Sequence, residues 1–398
     1  MTLPSLSLKP REDKRLKSGH LWIFSNEVDV VKTPLNNFQP GQVVLVETSQ
    51  GKPLGTGYVN PHSLICARLI SRDTAYVLDK SLLIHRLNIA LSIRERLFAK
   101  PYYRLVYGES DGLPGLVVDR FGDHLVVQIN TAGMERVKED IIIALEKVIQ
   151  PKSITLRNDS SGRAMENLEN YIEIAMGEVP ALIPIEENEA KFEISVTSGQ
   201  KTGWFYDHRL NRQRTQAYVK NKRVLDVFSY IGAWGIESAI AGAAEVVCVE
   251  TSETAIEHLR HNAGINRIEQ QISVLHGDAF DTLKALREQQ EKFDVIVLDP
   301  PAFIKRKKDV KEGTLAYRRL NQMAMQVLAN DGILVSASCS YHMHKETLLT
   351  TLWEASRHID RHLQILEQGH QGPDHPIHPA IPETEYLKAF ISRVTRSW

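Results

Sequence analysis

Two apolar runs in the last third of the chain end abruptly at residues that could carry out chemistry. One is 295–303, which reads Val-Ile-Val-Leu-Asp-Pro-Pro-Ala-Phe, and the other is 332–340, which ends in Ser-Cys-Ser. Ligands of an open parallel sheet bind outside the carboxyl ends of its strands, so both ends should face one crevice. Asp299, the prolines, an aromatic ring and the Cys339 thiol would then meet, a set suited to holding and attacking a flat heterocycle. Burial as a small hydrophobe is the commoner role of a free cysteine, but the strand-end position of Cys339 favours chemistry.

The elements that would position these residues lie from about residue 191 onward, where strand and helix patterns alternate. Strands are predicted at 223–227, 245–249, 272–275, 293–298 and 333–337. Strands that alternate with helices favour a parallel, doubly wound sheet. The expected fold class is therefore α/β, with a Rossmann-like domain in this part of the chain.

A glycine turn follows the first of these strands at 226–235, which reads Asp-Val-Phe-Ser-Tyr-Ile-Gly-Ala-Trp-Gly. Glycine lets the backbone approach a ligand closely, and the next helix offers free N–H groups at its N-terminus. The turn lacks the G-x-G-x-x-G of a dinucleotide site and the Gly-Lys-Ser/Thr of a phosphate-binding loop. Glu250 ends the second strand, where it could accept hydrogen bonds from ribose hydroxyls. Asp278 follows the third strand and could accept from an adenine amino group.

A ligand with ribose and adenine but no pyrophosphate is S-adenosylmethionine, which we expect as the cofactor. The alternative is that Glu250 and Asp278 only cap helices, and it is disfavoured because capping would not require the glycine turn as well. The cofactor-binding residues predicted at these strand ends are Asp226, Phe228, Gly232, Ala233, Gly235, Glu250, Asp278, Ala279, Asp299 and Pro300.

The chain before this domain forms two further blocks. Residues 1–71 contain short β-branched runs bounded by Gly, Pro and Asn, which predict a small β-barrel with Trp22 and Phe24 in its core. Residues 73–185 mix helical and strand patterns, which predicts a small α+β domain. The third domain is expected to span 191–398.

Composition excludes several classes of protein. The 398 residues are 42% hydrophobic and 24% charged, as in soluble globular proteins, and the net charge of -1 means that any nucleic-acid surface must be local. Cys66, Cys248 and Cys339 show no metal-ligand spacing, so we expect a reducing compartment and no metal. The sequence shows neither a signal-peptide pattern nor a membrane-spanning apolar run, which predicts a cytoplasmic protein without a membrane partner.

Seven segments along nearly the whole chain carry a family resemblance. They are His20–Ser25, Gly108–Gly115, Gly199–Phe205 with Asp207 and Arg209, Asp299–Phe303, Ser338–Ser340, Asp374–Pro376 and Tyr386–Phe390. In these segments the chain resembles bacterial large-subunit (23S) rRNA cytosine-5 methyltransferases of the RlmI type. The resemblance implies an N-terminal RNA-binding PUA barrel, a central α+β domain and a Rossmann-like methyltransferase domain.

The resemblance also implies roles for individual residues. It makes Cys339 the nucleophile and places Asp299 at the target base. It assigns to the border of the cofactor site Lys201, Thr202, Phe205, Asp207 and Arg209.

The chemistry of such a reaction is consistent with these residue types. Cytosine C5 is a weak nucleophile, and addition of a thiolate to C6 activates it, so covalent catalysis is needed. Cys339 can supply the thiolate if its pKa is depressed, and Asp299 could assist at N3. Ala302 stands where some cytosine-5 enzymes carry a second cysteine, so another group must remove the C5 proton. The candidates left open by the sequence are Asp374, Glu383, Glu385 and a water molecule.

A basic run follows Phe303 directly. It comprises Lys305, Arg306, Lys307, Lys308 and, further on, Arg318. Charge runs are usually solvated, but one beginning beside the crevice favours phosphate contact, so large-subunit rRNA or an assembling ribosomal particle is the expected partner. The target base would have to be unstacked to reach Cys339.

Three functions stay open at this point. The first is cytosine-5 RNA methylation, the second is methylation of a ring or exocyclic nitrogen of an rRNA base, and the third is a non-catalytic RNA-binding ribosome assembly factor. Cys339 favours the first, because nitrogen methylation needs no thiol. The sequence does not decide the target nucleotide or the oligomeric state, for which a homodimer is one alternative.

Overall fold

The computed structural model describes residues 3–397. The chain divides into two compact units. The first runs up to Ile183 and also includes Ile194–Tyr206 and Pro373–Thr384. The second comprises Pro184–Glu193, Asp207–Gly372 and the segment from Glu385 onward.

The first unit begins with a five-stranded sheet. Its elements are β1 (Ser5–Ser7), α1 (Lys14–Lys17), β2 (Trp22–Ile23), β3 (Gln42–Glu47), β4 (Pro53–Val59) and β5 (Ala67–Ser71). The strand order is β1-β3-β4-β5-β2, with β1 parallel to β3 and the remaining pairs antiparallel. Leu6, Val44 and Val46 lie in its core. The short β-branched runs therefore form the β-rich N-terminal fold that the sequence predicts.

The prediction that Trp22 and Phe24 lie in this core is wrong. Ile23 is fully buried in the core, whereas Trp22 and Phe24 on either side of it are only partly buried and line a cavity. Successive side chains of a strand point to opposite faces. Burial of Ile23 therefore turns both aromatic rings away from the core of the sheet.

A second sheet in the first unit packs against helices. Its elements are α2 (Lys80–Leu97), β6 (Tyr102–Tyr107), β7 (Leu116–Phe121), β8 (His124–Ile129), α3 (Ala132–Arg136), α4 (Lys138–Ile149), β9 (Ser153–Asn158) and β10 (Tyr171–Gly177). The order is β10-β9-β8-β7-β6, and only β8 and β9 are parallel. Helix α2 begins where the Asp79 carboxylate accepts a hydrogen bond of 2.9 Å from the Leu82 N–H, because an aspartate at this position satisfies a free helix N–H group.

The second unit is built on a seven-stranded sheet. Before it comes a two-stranded sheet of β11 (Ile183–Glu187) and β12 (Ala190–Ile194). The remaining elements are α5 (Arg209–Thr215), β13 (Arg223–Val227), α6 (Ala233–Ile240), β14 (Glu245–Glu250), α7 (Glu253–Ile265), β15 (Ile272–His276), α8 (Ala279–Glu288), β16 (Phe293–Leu298), α9 (Val310–Val327), β17 (Leu328–Ser338), α10 (Lys345–Arg357), β18 (Arg361–His370) and β19 (Lys388–Arg396).

The strand order of the large sheet creates a crevice. The order is β15-β14-β13-β16-β17-β19-β18. The five strands β13 to β17 are parallel, and β19 runs antiparallel to both of its neighbours. The chain moves outward from β13 in one direction to β15 and then returns to place β16 on the other side. A ligand crevice forms outside the carboxyl ends of strands at such a reversal. Among residues 3–397 there is no helix that is both long and apolar enough to cross a membrane.

Candidate active site

The carboxyl ends of β16 and β17 meet in the second unit. The Cys339 Sγ atom lies 4.0 Å from the carbonyl oxygen of Pro300, which directly follows Asp299. Cys339 is partly exposed, whereas Cys66 and Cys248 are fully buried. Burial raises the pKa of Cys66 to about 12 and also raises the pKa of Cys248. Cys339 is therefore the thiol of this chain that a substrate can reach.

A buried tyrosine fixes the loop on both sides of Cys339. The Ser338 hydroxyl donates to the Tyr317 hydroxyl at 2.9 Å, and the Ser340 hydroxyl lies 3.0 Å from the same oxygen. The Ile304 N–H donates to the Ser340 hydroxyl at 3.2 Å. Tyr317, Ser338 and Ser340 are all at most 1% exposed. This hydrogen-bonded network holds the backbone that carries the thiol, so Tyr317 acts inside the unit and not with the basic run that surrounds it in sequence.

Lys388 brings a buried positive charge to the same place. It begins β19, opposite Ser338 of β17, and its Nζ atom donates to the carbonyl oxygens of Ser340 and Tyr386, both at 2.7 Å. Its side chain makes no ion pair within residues 3–397. Burial lowers the pKa of Lys388 to about 8, while the neighbouring Cys339 acts to raise it. Since the interaction is mutual, a charged Lys388 stabilises a thiolate at Cys339.

Asp299 lies between a histidine and a tryptophan. The His208 Nε2 atom is 3.2 Å from one carboxylate oxygen, and the Trp234 Nε1–H donates to the other at 3.0 Å. Burial alone would raise the pKa of Asp299, but His208 and Trp234 outweigh it and hold the pKa below the ordinary value. Burial likewise acts to lower the pKa of His208, but Asp299 and Asp207 raise it above its ordinary value. The arrangement favours a protonated His208 beside an ionised Asp299.

The glycine turn after β13 has an unusual backbone. Phe228, Tyr230 and Gly232 have positive φ angles of 69°, 50° and 91°. Two non-glycine residues in the left-handed region within one turn represent strain of a kind that clusters at functional sites. A Cβ atom at Gly232 would lie 2.9 Å from side-chain atoms of Ile236 and Leu259. The turn therefore needs glycine there for both its conformation and its space.

The helix that follows this turn is tied to the end of β13. Gly235 donates its N–H to Asp226 Oδ2 at 2.9 Å, and a Cβ atom at Gly235 would lie 2.7 Å from the Cys248 Sγ atom. Burial raises the pKa of Asp226 to about 7. Ala233, the first residue of α6, is partly exposed. Close packing of α6 on the sheet thus brings the helix N-terminus to the crevice.

Glu250 ends β14 and supports the same turn. One carboxylate oxygen accepts from the Tyr230 N–H at 2.8 Å, and the other accepts from the Thr251 and Ser252 N–H groups at 2.8 and 2.9 Å. Helix α7 is capped by the Ser252 side chain, which accepts from the Ala255 N–H at 3.3 Å. Glu250 is therefore not the residue that caps this helix.

Asp278, by contrast, does cap a helix. Its Oδ1 atom accepts from the N–H groups of Phe280 and Asp281 at 2.8 and 3.2 Å, at the start of α8. Oδ2 accepts no hydrogen bond from any residue in 3–397, and the side chain is exposed. Ala279 is the buried first residue of the helix. Capping therefore occupies one oxygen of Asp278, and a ligand contact by the other stays a prediction.

Asp207 and Arg209 lie at the start of α5 in the second unit. The Tyr386 hydroxyl donates to the buried Asp207 carboxylate. Arg209 donates from Nε to the Glu187 carboxylate at 3.0 Å. Tyr386 is also the residue whose carbonyl oxygen accepts from Lys388. Both predicted cofactor residues therefore have partners within the second unit.

The other residues implied for the cofactor border belong to the first unit. Thr202 is buried and donates its hydroxyl to the Asp119 carboxylate at 2.7 Å. The Lys201 Nζ atom lies 4.9 Å from the centre of the Phe205 ring. Their assignment to the cofactor stays a prediction.

The predicted RNA-binding residues are exposed. Lys305, Arg306, Lys307 and Lys308 precede α9, and Arg306 forms an ion pair of 3.2 Å with Asp309. Arg318 lies on α9 and is 3.4 Å from Glu354. The run presents free positive charge close in sequence to the Asp299 strand end.

The three carboxylates considered for proton removal have different surroundings. Asp374 is 1% exposed in the first unit, where its oxygens contact the Arg104 N–H and His375 Nδ1, each at 3.0 Å. Glu383 also belongs to the first unit, and Glu385 belongs to the second. Asp374 therefore has a structural task.

Sequence reasoning missed four residues of this site. They are His208, Trp234, Tyr317 and Lys388. Two signals were available, since Trp234 stands inside the glycine turn and His208 lies between two residues that the family resemblance implies. Lys388 and Tyr317 gave no comparable signal, because their contacts depend on how β19 and α9 pack.

Two family models match parts of the chain. The model of a PUA-like domain matches residues 6–72, and the model described as "Conserved hypothetical protein 95" matches residues 212–349. The first match confirms the predicted PUA-like N-terminal domain.

Similar structures support the fold. The crystal structure of SMU.776 complexed with SAH has a TM-score of 0.84 at 20% identity, covering 98% of this chain and 100% of that one. The structure of a SAM-dependent methyltransferase from Agrobacterium tumefaciens has a TM-score of 0.53 at 17% identity, covering 74% and 90%. These likenesses confirm the predicted fold class, a Rossmann-like methyltransferase domain preceded by smaller domains.

Curated relatives match over nearly their full length. Ribosomal RNA large subunit methyltransferase I of Erwinia tasmaniensis is 36% identical over 401 residues, covering 99% of this chain and 100% of the relative. The protein of the same name from Salmonella gallinarum is 37% identical over 396 residues, covering 98% of each. With this identity along its whole length, and with the PUA-like domain and methyltransferase fold in place, the chain belongs to the ribosomal RNA large subunit methyltransferase I family.

Proposed function

We propose that this protein transfers a methyl group from S-adenosylmethionine to C5 of a cytosine in large-subunit ribosomal RNA, through a covalent bond between Cys339 and C6 of the base. The observation that carries the proposal is the position of the partly exposed Cys339 Sγ atom, 4.0 Å from the Pro300 carbonyl and next to ionised Asp299. RNA is the substrate class of the named relatives. The proposed compartment is the cytoplasm, as expected from the sequence.

The residues at the ends of β13, β14 and β15 fit the cofactor. Gly232 and Gly235 let α6 pack closely, because a Cβ atom at either position would lie within 3 Å of a neighbouring side chain, and this packing brings the N-terminus of α6 to the crevice. Glu250 offers carboxylate oxygens to ribose hydroxyls, and Asp278 Oδ2 is open to an amino group. S-adenosylmethionine supplies an electrophilic methyl group when bound there. The turn at 226–235 lacks the G-x-G-x-x-G pattern that brings a backbone close to a pyrophosphate, which supports this cofactor over a dinucleotide.

Cys339 acts as the nucleophile in this proposal. Its thiolate adds to C6, and the electron pair of the C5–C6 bond becomes available at C5 for methylation. Loss of the C5 proton then restores the double bond as the C6–sulfur bond breaks and the thiolate leaves. The charge of Lys388, buried beside Ser340, lowers the cost of forming the thiolate and of expelling it.

Asp299 acts as an acceptor in this reaction. Because His208 and Trp234 keep its pKa low, the carboxylate stays ionised and cannot donate a proton to N3. It can accept from the exocyclic amino group of cytosine, which is a donor. This differs from the role at N3 considered from the sequence. An amino group at this position distinguishes cytosine from uracil, which presents a carbonyl oxygen instead.

The experiment has a chemical and a cellular part. RNA that contains 5-fluorocytosine cannot lose a C5 proton, so wild-type protein should remain bound to it in a denaturing gel, whereas Cys339→Ser should not. The Ser variant should also lose methyl transfer while it keeps its affinity for S-adenosylhomocysteine in isothermal titration. Nucleoside mass spectrometry of large-subunit rRNA, with and without the gene, should show loss of 5-methylcytosine. Methyl transfer by Cys339→Ser would overturn the proposal in favour of nitrogen methylation.

A further inference from the structure

A cavity of about 640 Å³ in the first unit lies outside the methyltransferase chemistry described above. Trp22, Phe24 and Tyr107 contribute aromatic side chains to its lining. Leu64 and Met165 also line it and are 70% and 74% exposed, an unusual state for large apolar side chains. Cavities of roughly 300–1000 Å³ are the size of small-molecule sites, and exposed apolar clusters mark surfaces that bind something.

Hydrogen bonds hold two of the aromatic rings by their polar ends. The Trp22 Nε1–H donates to Glu109 Oε1 at 2.8 Å, and the Tyr107 hydroxyl donates to the Thr384 carbonyl oxygen at 2.9 Å. Rings fixed in this way lose little entropy when a flat ligand stacks on them. The aromatic part of the cavity is therefore suited to a planar, apolar-faced group.

A donor and an acceptor without partners lie side by side in the cavity. The Nε atom of Arg68 is buried, and it makes no hydrogen bond with the residues that the structure describes. The Oε2 atom of Glu109 likewise accepts no hydrogen bond from residues 3–397. The Oε1 atom of Glu109 lies 3.8 Å from the Arg68 Nε atom. Glu166 holds the Arg68 side chain in place through a bond of 2.8 Å to Nη1. A buried donor without a partner lowers the stability of the folded protein. A ligand whose acceptor pairs with Arg68 Nε and whose neighbouring donor pairs with Glu109 Oε2 would regain that free energy on binding.

Positive charge lies at the aromatic side of the cavity. The Arg15 guanidinium lies 5.0 Å from the centre of the Phe24 ring and donates to the Trp22 carbonyl oxygen at 3.2 Å. Arg15 is paired with Glu27 and Lys17 with Asp13, so Lys14 on the short helix α1 is the cation of this group that forms no ion pair within residues 3–397. The cavity itself carries Glu109 and Glu166 against Arg68, an excess of negative charge that disfavours a phosphate inside. A ligand with a neutral planar part for the cavity and a phosphate outside it, near the basic residues of α1, matches both the cavity and its surroundings.

We propose that this cavity binds one unstacked base of the RNA substrate, with its ring against Trp22 and its polar edge on Arg68 Nε and Glu109 Oε2. The proposal rests on the proposed function for the presence of RNA. Unstacked bases present hydrogen-bonding edges and stack on aromatic side chains. An apolar side chain of a protein partner would fill the space and leave the donor and acceptor unpaired, so a base is the better match. The site would hold the RNA by a nucleotide other than the one that is methylated.

The test is RNA affinity of the full chain, measured by fluorescence anisotropy with a labelled single-stranded RNA of mixed sequence across a salt series. Trp22→Leu and Phe24→Leu should each weaken binding by roughly 5- to 150-fold, the amount that one base–aromatic stack contributes. The salt dependence should not change, because stacking releases no counterions. Replacement of Lys305, Arg306, Lys307 and Lys308 by Gln should instead reduce the salt dependence. Val31→Ala, at an 89% exposed position of the same unit outside the cavity lining, is the matched control.

Two further measurements distinguish a loss of RNA binding caused by misfolding from one caused by removal of the aromatic ring. Affinity for S-adenosylhomocysteine should be unchanged in both cavity variants, and Trp22→Phe should restore most of the RNA affinity because it restores an aromatic ring. Wild-type RNA affinity in Trp22→Leu and Phe24→Leu overturns the proposal, and so does a loss that Trp22→Phe fails to restore. Binding is read without methyl transfer. A wild-type protein that binds RNA through the cavity but does not methylate cytosine would therefore overturn the proposed function and leave this site standing.

Discussion

The two halves of the crevice in the second unit position their polar groups by different means. The half at β13 and β14 depends on backbone conformation, with Phe228, Tyr230 and Gly232 in the left-handed region and Glu250 bound to N–H groups. The half at β16 and β17 depends on side chains, where hydroxyls and buried charges surround Cys339. A site whose shape is set by the backbone has a fixed geometry, which is suited to binding one ligand. A site built from side chains can set the protonation of a reacting group.

This difference predicts that the halves can be damaged separately. Changes among the side chains near Cys339 should lower the rate of methyl transfer without weakening cofactor binding. Changes at the turn after β13 should weaken cofactor binding first. The following predictions test the separation, beginning with the largest expected effect.

Lys388→Met should produce the largest loss short of removing Cys339. A neighbouring charge shifts a pKa by roughly 1–3 units, so loss of the ammonium group should lower methyl transfer at neutral pH by roughly 10- to 1000-fold. The rate of Cys339 alkylation by iodoacetamide should fall in parallel, which reports the thiolate directly. Cofactor affinity should stay within error of the wild type.

Lys388→Arg is the matched variant for charge. It keeps a cation at the start of β19 and should retain more activity and thiol reactivity than Lys388→Met. Equal alkylation rates in wild type and Lys388→Met would show that the lysine only supports the carbonyl oxygens of Ser340 and Tyr386.

The pH dependence should follow the same residue. Because burial lowers the pKa of Lys388 to about 8, methyl transfer should decline as pH rises through about 8, and Lys388→Met should lack this decline. The stability effect has the opposite sign. Between pH 8 and 10.5 the unfolded chain binds more protons at Lys388 than the folded one, so the wild-type free energy of unfolding relative to that of Lys388→Met should rise with pH. Urea unfolding across this window measures the difference.

Glu250→Ala should have the next largest effect, on the other half of the crevice. Loss of charge-assisted hydrogen bonds to ribose should weaken S-adenosylhomocysteine binding by about 1–3 kcal/mol. The Tyr230 N–H would lose its acceptor as well, so the turn should loosen. Isothermal titration gives the affinity, and the alkylation rate of Cys339 should not change. A fall in thiol reactivity as large as that of Lys388→Met would contradict the separation of the halves.

The backbone half could be predicted from the sequence because its signals are local. The strands at Arg223–Val227 and Phe293–Leu298 have the predicted bounds, since short apolar runs with turn residues at each end define a buried strand. Gly232 and Gly235 stand next to the strand they serve. The meeting of Asp299 with Cys339 was also predictable, because neighbouring parallel strands end at one edge of the sheet.

The side-chain half could not be predicted because its contacts join distant parts of the chain. Trp234 reaches Asp299 across 65 positions and Lys388 reaches Ser340 across 48. Tyr317 looks like part of a basic, solvated run until α9 turns its ring inward. At Trp22 and Phe24 the signal was present and misread, since strand alternation around buried Ile23 excludes both rings from the core.

Tyr317→Phe should have the smallest effect and gives the most selective test of the side-chain network. It deletes one oxygen that accepts from Ser338 and contacts Ser340, so two fully buried hydroxyls would lose a partner. Unfolding in urea should show a loss of about 1–3 kcal/mol. Methyl transfer should fall by less than the loss in Lys388→Met, because the positive charge beside Cys339 is kept.

Tyr218→Phe is the matched control for that change. Its hydroxyl donates to Glu367 at 2.6 Å in the same unit, but at a half-buried position away from Cys339. The free energy of unfolding should fall less than in Tyr317→Phe, because water can satisfy Glu367, and methyl transfer should not change. Affinity for S-adenosylhomocysteine should be the same in both variants. If Tyr317→Phe weakened cofactor binding as much as it slowed methyl transfer, the backbone half would depend on the side-chain half, and the two would be one cooperative site.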